Sequence, residues 1–273
     1  MSNSFCNELF HDLDFGVYST TINVGAVEVD ADFGGSSRGV LTCSLFSPIT
    51  TFANSSLSVS SADVDLSCNI TGDGDLQFAC GSAPLCHMMI GGTNNSHAVA
   101  AGYHFSNAEL DLLLTTGSLT FGSQYASDNV SDILVDGVVF SFAGSSLTIA
   151  SPQGSINFVN VSSNVEMTSE NASIVLTSAR NVSVSSNTTL VLPGSSASIS
   201  ITADSDCSAA DSGDDLDSQI LISSDASLTI DSTAPLLTMS VPAIDLSGSF
   251  NVSEIAMVRV EGESSATLMC DQI

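Results

Sequence analysis

A three-residue unit, apolar–any–apolar, recurs through the second half of the chain and constrains its fold more than any other feature. From 138 to 201 five or six small polar residues separate successive units and the spacing is eight or nine residues; after a gap the series resumes at 220. The members are Val138-Val139-Phe140, Leu147-Thr148-Ile149, Ile156-Asn157-Phe158, Val165-Glu166-Met167, Ile174-Val175-Leu176, Val182-Ser183-Val184, Leu190-Val191-Leu192, Ile199-Ser200-Ile201, Ile220-Leu221-Ile222, Leu228-Thr229-Ile230, Leu237-Thr238-Met239 and Ile244-Asp245-Leu246. A fixed period indicates a repeat architecture, in which each unit buries its apolar face only by stacking on its neighbours.

Each unit predicts a short, half-buried strand. The two outer side chains of a unit, such as Leu147 and Ile149, then point to the core, and the middle one points outward. Turn-forming segments such as Ser-Pro-Gln-Gly at 151–154 and Pro-Gly-Ser-Ser at 193–196 separate the units. The β-branched residues and the spacing of Pro and Gly argue against helix, so we expect an all-β protein.

Two ways of stacking such strands fit the period. In a single-chain β-solenoid, three strand-and-turn units form one coil of roughly 25 residues, and each coil rises by about 4.8 Å. In an intertwined triple β-helix, three chains wind together and each contributes one strand per turn. The period alone leaves both open.

The repeat over 138–201 resembles the β-helical shafts of phage cell-puncturing needles and secretion spikes, and also the repeating ectodomain of sarcoglycans. The resemblance is one of pattern and covers about half of the chain. It implies a stiff rod, usually trimeric. The chain lacks the sarcoglycan transmembrane segment and has no strict Gly at each turn.

The first half is also rich in predicted strands, but their spacing varies. We therefore expect an irregular β-rich domain over 1–135 and a β-helical repeat domain over 136–273, with an Asp-rich insertion at 203–218. Ser106-Asn107-Ala108-Glu109 is typical of a capped short helix, although the residues that follow alternate almost as a strand does.

The charge balance excludes several classes of function. The 273 residues include 30 acidic ones but only 3 Arg and no Lys, for a formal net charge of −27. Nucleic-acid binding through a basic surface is therefore excluded. The chain contains 51 Ser and no long apolar run. We accordingly expect no membrane insertion and see no secretory signal.

Seven Cys are too few for a disulfide framework in a chain of this length, and the odd number leaves at least one unpaired. Cys43, Cys68, Cys80 and Cys86 lie close together in sequence. One or two local disulfides among them are expected in an oxidising compartment; buried free thiols are the alternative.

Nine Asn-x-Ser/Thr sequons exceed the roughly four that chance would give and indicate N-glycosylation. A repeat that places Asn in its turns explains them equally. The candidates are Asn54, Asn69, Asn94, Asn129, Asn160, Asn171, Asn181, Asn187 and Asn251.

The Asp-rich insertion interrupts the repeat. Its carboxylates are the hard oxygen ligands that Ca²⁺ prefers, and their spacing partly matches a calcium loop, although Ala209 replaces the bend Gly. The candidate ligands of this weak site, the only cofactor expected, are Asp204, Asp206, Asp211, Asp214 and Asp215. A solvated loop is the alternative.

The remaining chemistry-bearing residues collect before the boundary. Cys86-His87, His97 and His104 do not have zinc-site spacing, and Cys86 with His104 as nucleophile and base lacks an orienting acid. The chain has no Trp, and its basic residues Arg180 and Arg259 are isolated in the sequence. A polysaccharide-cleaving enzyme needs aromatic platforms and grouped charged residues, so this class is disfavoured. The mixed middle residues of the repeat also argue against an ice-binding face.

The sequence therefore predicts a non-enzymatic rod that serves as a structural component of a fibre, virion or other extracellular assembly. Its partners are copies of itself, as a homotrimer or polymer, and other structural proteins of the same assembly. The apolar middle residues Val175, Val191 and Leu221 indicate that part of the outer face is covered, by another protomer or by the chain itself. The alternative is a secreted or surface glycoprotein, an adhesin or glycan-binding module, whose site comprises His87, His97, Tyr103 and His104.

Overall fold

The protein is all-β, with one short helix among the residues described. The computed structural model describes residues 3–4, 13–14, 20–22, 25–30, 40–43, 48–80, 86–92, 102–123, 130–194, 196–203, 219–232, 236–240, 243–253 and 257–261. Every strand pair within these ranges is parallel, as in β1 with β4 (Asn3 opposite Val27) and β26 with β29 (Leu236 opposite Met257).

The strands form five sheets, of which the largest runs through the whole described chain. In spatial order, the ten-stranded sheet contains β1 (Asn3–Ser4), β4 (Gly25–Asp30), β7 (Ser55–Ser61), β10 (Asp75–Cys80), β14 (Ser118–Gly122), β17 (Ser146–Ser151), β20 (Ser173–Ser178), β23 (Ser198–Ala203), β26 (Leu236–Ser240) and β29 (Met257–Glu261). The seven-stranded sheet contains β12 (Gly102–Phe105), β11 (Cys86–Gly91), β15 (Val130–Asp136), β18 (Ile156–Val159), β21 (Val182–Val184), β24 (Gln219–Ile222) and β27 (Ala243–Leu246).

Three smaller sheets hold the remaining strands. The five-stranded sheet contains β16 (Val139–Phe142), β19 (Ser163–Met167), β22 (Thr188–Leu192), β25 (Ser227–Ser232) and β28 (Ser249–Ser253). The four-stranded sheet contains β13 (Leu113–Thr115), β9 (Ile70–Gly72), β6 (Ile49–Thr51) and β3 (Thr20–Ile22). The three-stranded sheet contains β2 (Leu13–Asp14), β5 (Val40–Cys43) and β8 (Asp63–Leu66).

Successive strands visit the sheets in fixed rotation. From β14 to β29 the order is the ten-, seven- and five-stranded sheet, then the ten-stranded sheet again. From β1 to β9 the ten-, three- and four-stranded sheets alternate in the same way. Each strand therefore pairs with the strand one rotation earlier, and Ser146 and Ser173, which hydrogen-bond at 2.9 Å, are 27 residues apart.

The outer residues of the repeat units are buried in register, as predicted from their alternation. Along the ten-stranded sheet one row of equivalent residues, each at most 2% exposed, comprises Leu57, Leu76, Leu119, Leu147, Ile174 and Ile199. In β16 the pattern is equally clear, because Phe140 and Phe142 are buried whereas Val139 is 63% exposed. Because apolar side chains occupy equivalent positions on neighbouring strands, each one packs directly on the next and is removed from water.

The middle positions differ from the prediction in one case. Thr148, expected to face outward, is 7% exposed and lies in a stretch of β17, from Leu147 to Ser151, that is buried throughout. Val175, Val191 and Leu221 are half-buried and belong to three different sheets. They therefore do not form one apolar row.

The helix α1 (Asn107–Leu110) is one turn long and is followed directly by β13. Its capping box is complete, because the Ser106 side chain accepts from the Glu109 backbone and the Glu109 side chain accepts from that of Ser106. Asn107 also hydrogen-bonds at the edge of the five-stranded sheet: its Oδ1 accepts from Val139 N and its Nδ2 donates to Gly137 O. A covered edge resists pairing with other chains.

The domain boundary near residue 135 stays a prediction. The ten-stranded sheet continues on both sides of it, with β14 paired to β17. What changes there is the regularity of the spacing between strands. The Asp-rich insertion falls mostly outside the described residues, which resume at Gln219.

Candidate functional site

The least regular part of the described chain is the inserted layer, which we define as residues 86–117. Between β10 and β14, consecutive strands of the ten-stranded sheet, it contains β11, β12, α1 and β13, whereas the next interval contains only β15 and β16. Both β11 and β12 lie in the seven-stranded sheet. This range contains the four residues considered for a binding site, His87, His97, Tyr103 and His104.

Four aromatic side chains pack together in the core beneath the inserted layer. Phe105 packs edge-on against Phe78 and Phe121, with ring centroids 4.9 and 5.0 Å away, and lies 5.6 Å from Tyr103. All four side chains are at most 1% exposed. Aromatic rings fill the extra volume that the additional strand opens, and edge-to-face contacts are favourable.

Asp63 joins the inserted layer to the preceding one. Its Oδ1 accepts hydrogen bonds from the backbone N–H groups of Val64 and His104, both at 2.9 Å. Asp63 is 9% exposed, so its carboxylate replaces a backbone carbonyl that would otherwise pair with β12.

Glu109, which belongs to the inserted layer itself, also accepts backbone hydrogen bonds that join the two layers. Its Oε1 accepts from Leu66 N at 3.1 Å, and its Oε2 accepts from the backbone N–H and the hydroxyl of Ser106, both at 2.8 Å. The carboxylate is therefore fully occupied in holding α1 to β8.

Tyr103 is fully buried and near enough to both carboxylates to interact with their charges. Burial raises the pKa of its phenol well above the usual value; the nearby Ser61 hydroxyl lowers it somewhat, and the charges of Asp63 and Glu109 raise it further. Neither hydroxyl makes a hydrogen bond of normal geometry to any described residue. Tyr103 is thus a neutral core residue.

His87 is exposed. Its Nδ1 lies 3.0 Å from the Ser131 hydroxyl and 3.8 Å from Asp132 Oδ2. Because Ser131 and Asp132 approach the same ring nitrogen, His87 cannot take a proton from Ser131 at one nitrogen while Asp132 orients the ring at the other, which is the arrangement of a catalytic triad. His104 is buried, and its Nε2 lies 3.0 Å from the Gly91 carbonyl.

The four clustered cysteines are joined in two pairs. Cys43 is bonded to Cys68 across β5 and the end of β8, and Cys80 is bonded to Cys86 between β10 and β11. Cys86 therefore has no free thiol that could act as a nucleophile.

The residues considered for a binding site do not share one surface. His87 is exposed, Tyr103 and His104 are buried, and His97 lies outside the described residues. Sequence reasoning missed Asp63, because Asp63-Val64-Asp65-Leu66 alternates regularly and nothing in it distinguishes the buried Asp63 from the exposed Asp65. It detected the capping motif at 106–109 but not the second bond of Glu109 to Leu66.

The sequons differ in their surroundings. Asn181 is half-buried, and its Oδ1 accepts from Gln219 N at 2.8 Å. Asn94 and Asn129 lie outside the described residues. The side chains exposed to solvent are those of Asn54, Asn69, Asn160, Asn171, Asn187 and Asn251.

The calcium candidates Asp204, Asp206, Asp211, Asp214 and Asp215 all lie outside the described residues, and this site stays a prediction. Within the described ranges no three His, Cys, Asp or Glu side chains come together as metal ligands would.

Carboxylates and amides instead bond to backbone on neighbouring layers. Asp75 accepts from Ser118 N at 2.8 Å, Asp132 from Ser155 N at 2.9 Å and Asp136 from Val161 N at 3.1 Å. In these three bonds the donor belongs to the layer that follows, whereas Glu109 accepts from Leu66 in the layer before it. With almost no cations in the chain, acidic side chains bond to backbone N–H groups.

No helix in the described part of the chain has the length and apolar character needed to cross a membrane. Comparisons with protein-family models, with curated proteins and with solved structures find no match to this chain.

Proposed function

We propose that this chain is a single-chain β-solenoid and a non-enzymatic structural protein, which forms a rigid component of a fibre, virion or other extracellular assembly by associating with copies of itself. The observation that carries the proposal is the parallel ten-stranded sheet, whose strands recur once per rotation along the described chain. Stacked strands of this kind bond along one axis and resist bending.

The pairing favours a single-chain solenoid over an intertwined triple helix. In the five-stranded sheet β16, β19, β22, β25 and β28 are neighbours, and each comes from the next rotation of the same chain. Their backbone groups are therefore satisfied without strands from a second chain.

A structural role also accords with how reactive side chains are used. Cys86 is in a disulfide, Tyr103 is buried, and Asp63 and Glu109 accept backbone hydrogen bonds. None of these four groups is available to a substrate.

The test combines native mass with two variants at adjacent positions. Light scattering of the purified protein should give multiples of the 27.9 kDa chain, and electron microscopy should give ordered particles. Ile174→Asp places a charge in the buried row and should abolish folding, whereas Val175→Asp on the outward face should leave the circular dichroism spectrum unchanged. A monomer at every accessible concentration would overturn the structural role, and a folded Ile174→Asp would overturn the stacked core.

A secreted glycoprotein that binds glycans or host surfaces is the second candidate. Six exposed sequon asparagines and two disulfides favour it, because both features are typical of oxidising, secretory environments. Intact mass spectrometry separates the candidates: excess mass in hexose units favours this one, and an unmodified mass favours the particle component.

A further inference from the structure

Two asparagines have an unusual backbone conformation, and both begin sequons. Among the described residues other than Gly, Asn54 and Asn160 are those with positive φ, at 66° and 53°. Asn tolerates this conformation better than most residues and there occupies the apex of a tight turn. Both side chains are exposed.

Both turns are well held. Around Asn54, Ser55 N donates to the Phe52 carbonyl at 2.9 Å, and the Ser55 hydroxyl bonds back to the same carbonyl. Around Asn160, Val161 N donates to the Val159 carbonyl at 2.7 Å and to Asp136 Oδ1 at 3.1 Å.

Each of the two turns carries one exposed large hydrophobic side chain. Four such side chains are found among the described residues: Phe52 (45% exposed), Leu114 (52%), Val139 (63%) and Val161 (59%). Phe52 lies two residues before Asn54, and Val161 directly follows Asn160. Val139 lies close to Val161, because Gly137, two residues before it, donates its N–H to the Val161 carbonyl at 3.2 Å.

We propose that Asn54 and Asn160 carry N-linked glycans, whose first sugar covers Phe52 at one site and Val139 with Val161 at the other. The C–H groups on a sugar ring pack against aromatic and aliphatic side chains by dispersion, so covering them removes apolar surface from water. The inference rests on the secretory, extracellular setting of the second candidate function.

The modification requires a lipid-linked oligosaccharide pyrophosphate as donor. Asn Nδ2 forms a bond to the sugar C1 while the C1–O bond to pyrophosphate breaks; Nδ2 loses one proton, and the lipid pyrophosphate leaves. At Asn160 the Nδ2 group donates to Asp136 Oδ2 at 3.0 Å. The proton that remains on Nδ2 can keep this hydrogen bond.

The test expresses the full chain through a eukaryotic secretory pathway and measures the occupancy of each sequon by peptide mass spectrometry. Ser56→Ala and Ser162→Ala together remove the hydroxyls that complete the two sequons but keep both asparagines in their turns. Asn171→Gln is the matched control, because Asn171 is an exposed sequon without positive φ and without a large apolar neighbour in sequence.

We expect sugar on Asn54 and Asn160. The melting temperature of the Ser56→Ala/Ser162→Ala variant should lie about 2–4 °C below that of the glycosylated parent, and its binding of a hydrophobic dye should rise. The control should show neither change. When the same variants are produced without glycans, their melting temperatures should equal that of the unglycosylated parent. This comparison isolates the effect of the sugar.

Bare Asn54 and Asn160 would overturn the inference, as would occupied sites whose loss leaves melting and dye binding unchanged. Native mass is measured on the same preparation. An assembling protein with bare asparagines would overturn only this inference, whereas a glycosylated monomer would overturn only the structural role.

Discussion

The carboxylate of Asp63 accepts a hydrogen bond of 2.9 Å from the backbone N–H of His104, 41 residues further along the chain. This bond attaches the additional strand β12 to the layer below it. It shows how an irregular segment is accommodated within a parallel stack, through a side chain that takes the place of a missing strand.

Asp63→Ala should destabilise the fold by about 2–4 kcal/mol, since it leaves the buried N–H groups of Val64 and His104 unsatisfied. Asp63→Asn keeps one acceptor oxygen and should cost less. Asp65→Ala, on the exposed face of the same strand, should change stability by less than about 0.5 kcal/mol. Urea unfolding of the three variants checks the order, and equal losses at positions 63 and 65 would contradict it.

Gly91 and Gly92 offer an adjacent comparison. Both have positive φ, of 98° and 87°, but a Cβ at Gly91 would collide with the Asp136 carbonyl, whereas at Gly92 the nearest atom is 3.6 Å away. Gly92→Ala should cost about 1–2 kcal/mol, from backbone conformation alone. Gly91→Ala should cost clearly more. The melting temperatures of the two variants test this order. Equal melting temperatures would argue against a close approach of Gly91 to the Asp136 carbonyl.

The two disulfides should differ in their contribution. Cys43 and Cys68 are 25 residues apart, and Cys80 and Cys86 are 6 apart. In the chain-entropy description these loops correspond to about 3.5 and about 2 kcal/mol. Replacing both cysteines of each pair by Ala, one pair at a time, should lower the unfolding free energy more for 43/68. The reverse order, measured by denaturant unfolding, would show that loop entropy does not dominate.

Tyr103 should make stability fall at alkaline pH. Because its folded-state pKa is raised, the folded chain keeps the phenol proton above pH about 10, while the unfolded chain releases it. The resulting loss is at most about 1.4 kcal/mol per pH unit. Below pH 10 this contribution is fully present.

Tyr103→Phe should remove that pH dependence. At neutral pH it should be neutral or stabilising, because the hydroxyl has no hydrogen-bond partner among the described residues. The pH dependence of the melting temperature, compared between the two proteins, is the measurement. A strongly destabilised Tyr103→Phe at pH 7 would indicate that the hydroxyl is bonded after all.

Much of the regular part of this fold could be predicted from sequence. The alternation that marked Leu147 and Ile149 as core also holds for Ile174 and Leu176 one rotation later. A period-two pattern reports burial directly, since neighbouring side chains in a strand point to opposite faces.

In the first half the ten-stranded sheet could not be predicted from sequence, because the number of residues per layer varies. Aligned residues Ser58 and Gln77 are 19 residues apart, whereas Asp75 and Ser118, joined by a hydrogen bond, are 43 apart. No fixed period survives such variation. Contacts such as Glu109 with Leu66 depend on which layers meet, which local patterns do not encode.

The backward pairing of the strands has a consequence for biosynthesis. From β17 to β28 each strand bonds to one that has already left the ribosome, as β20 does to β17 and β23 to β20. Each new strand therefore finds a finished template, and the body can grow in the order of translation. Ribosomes that stall after a complete rotation would then release a folded fragment with one unpaired edge.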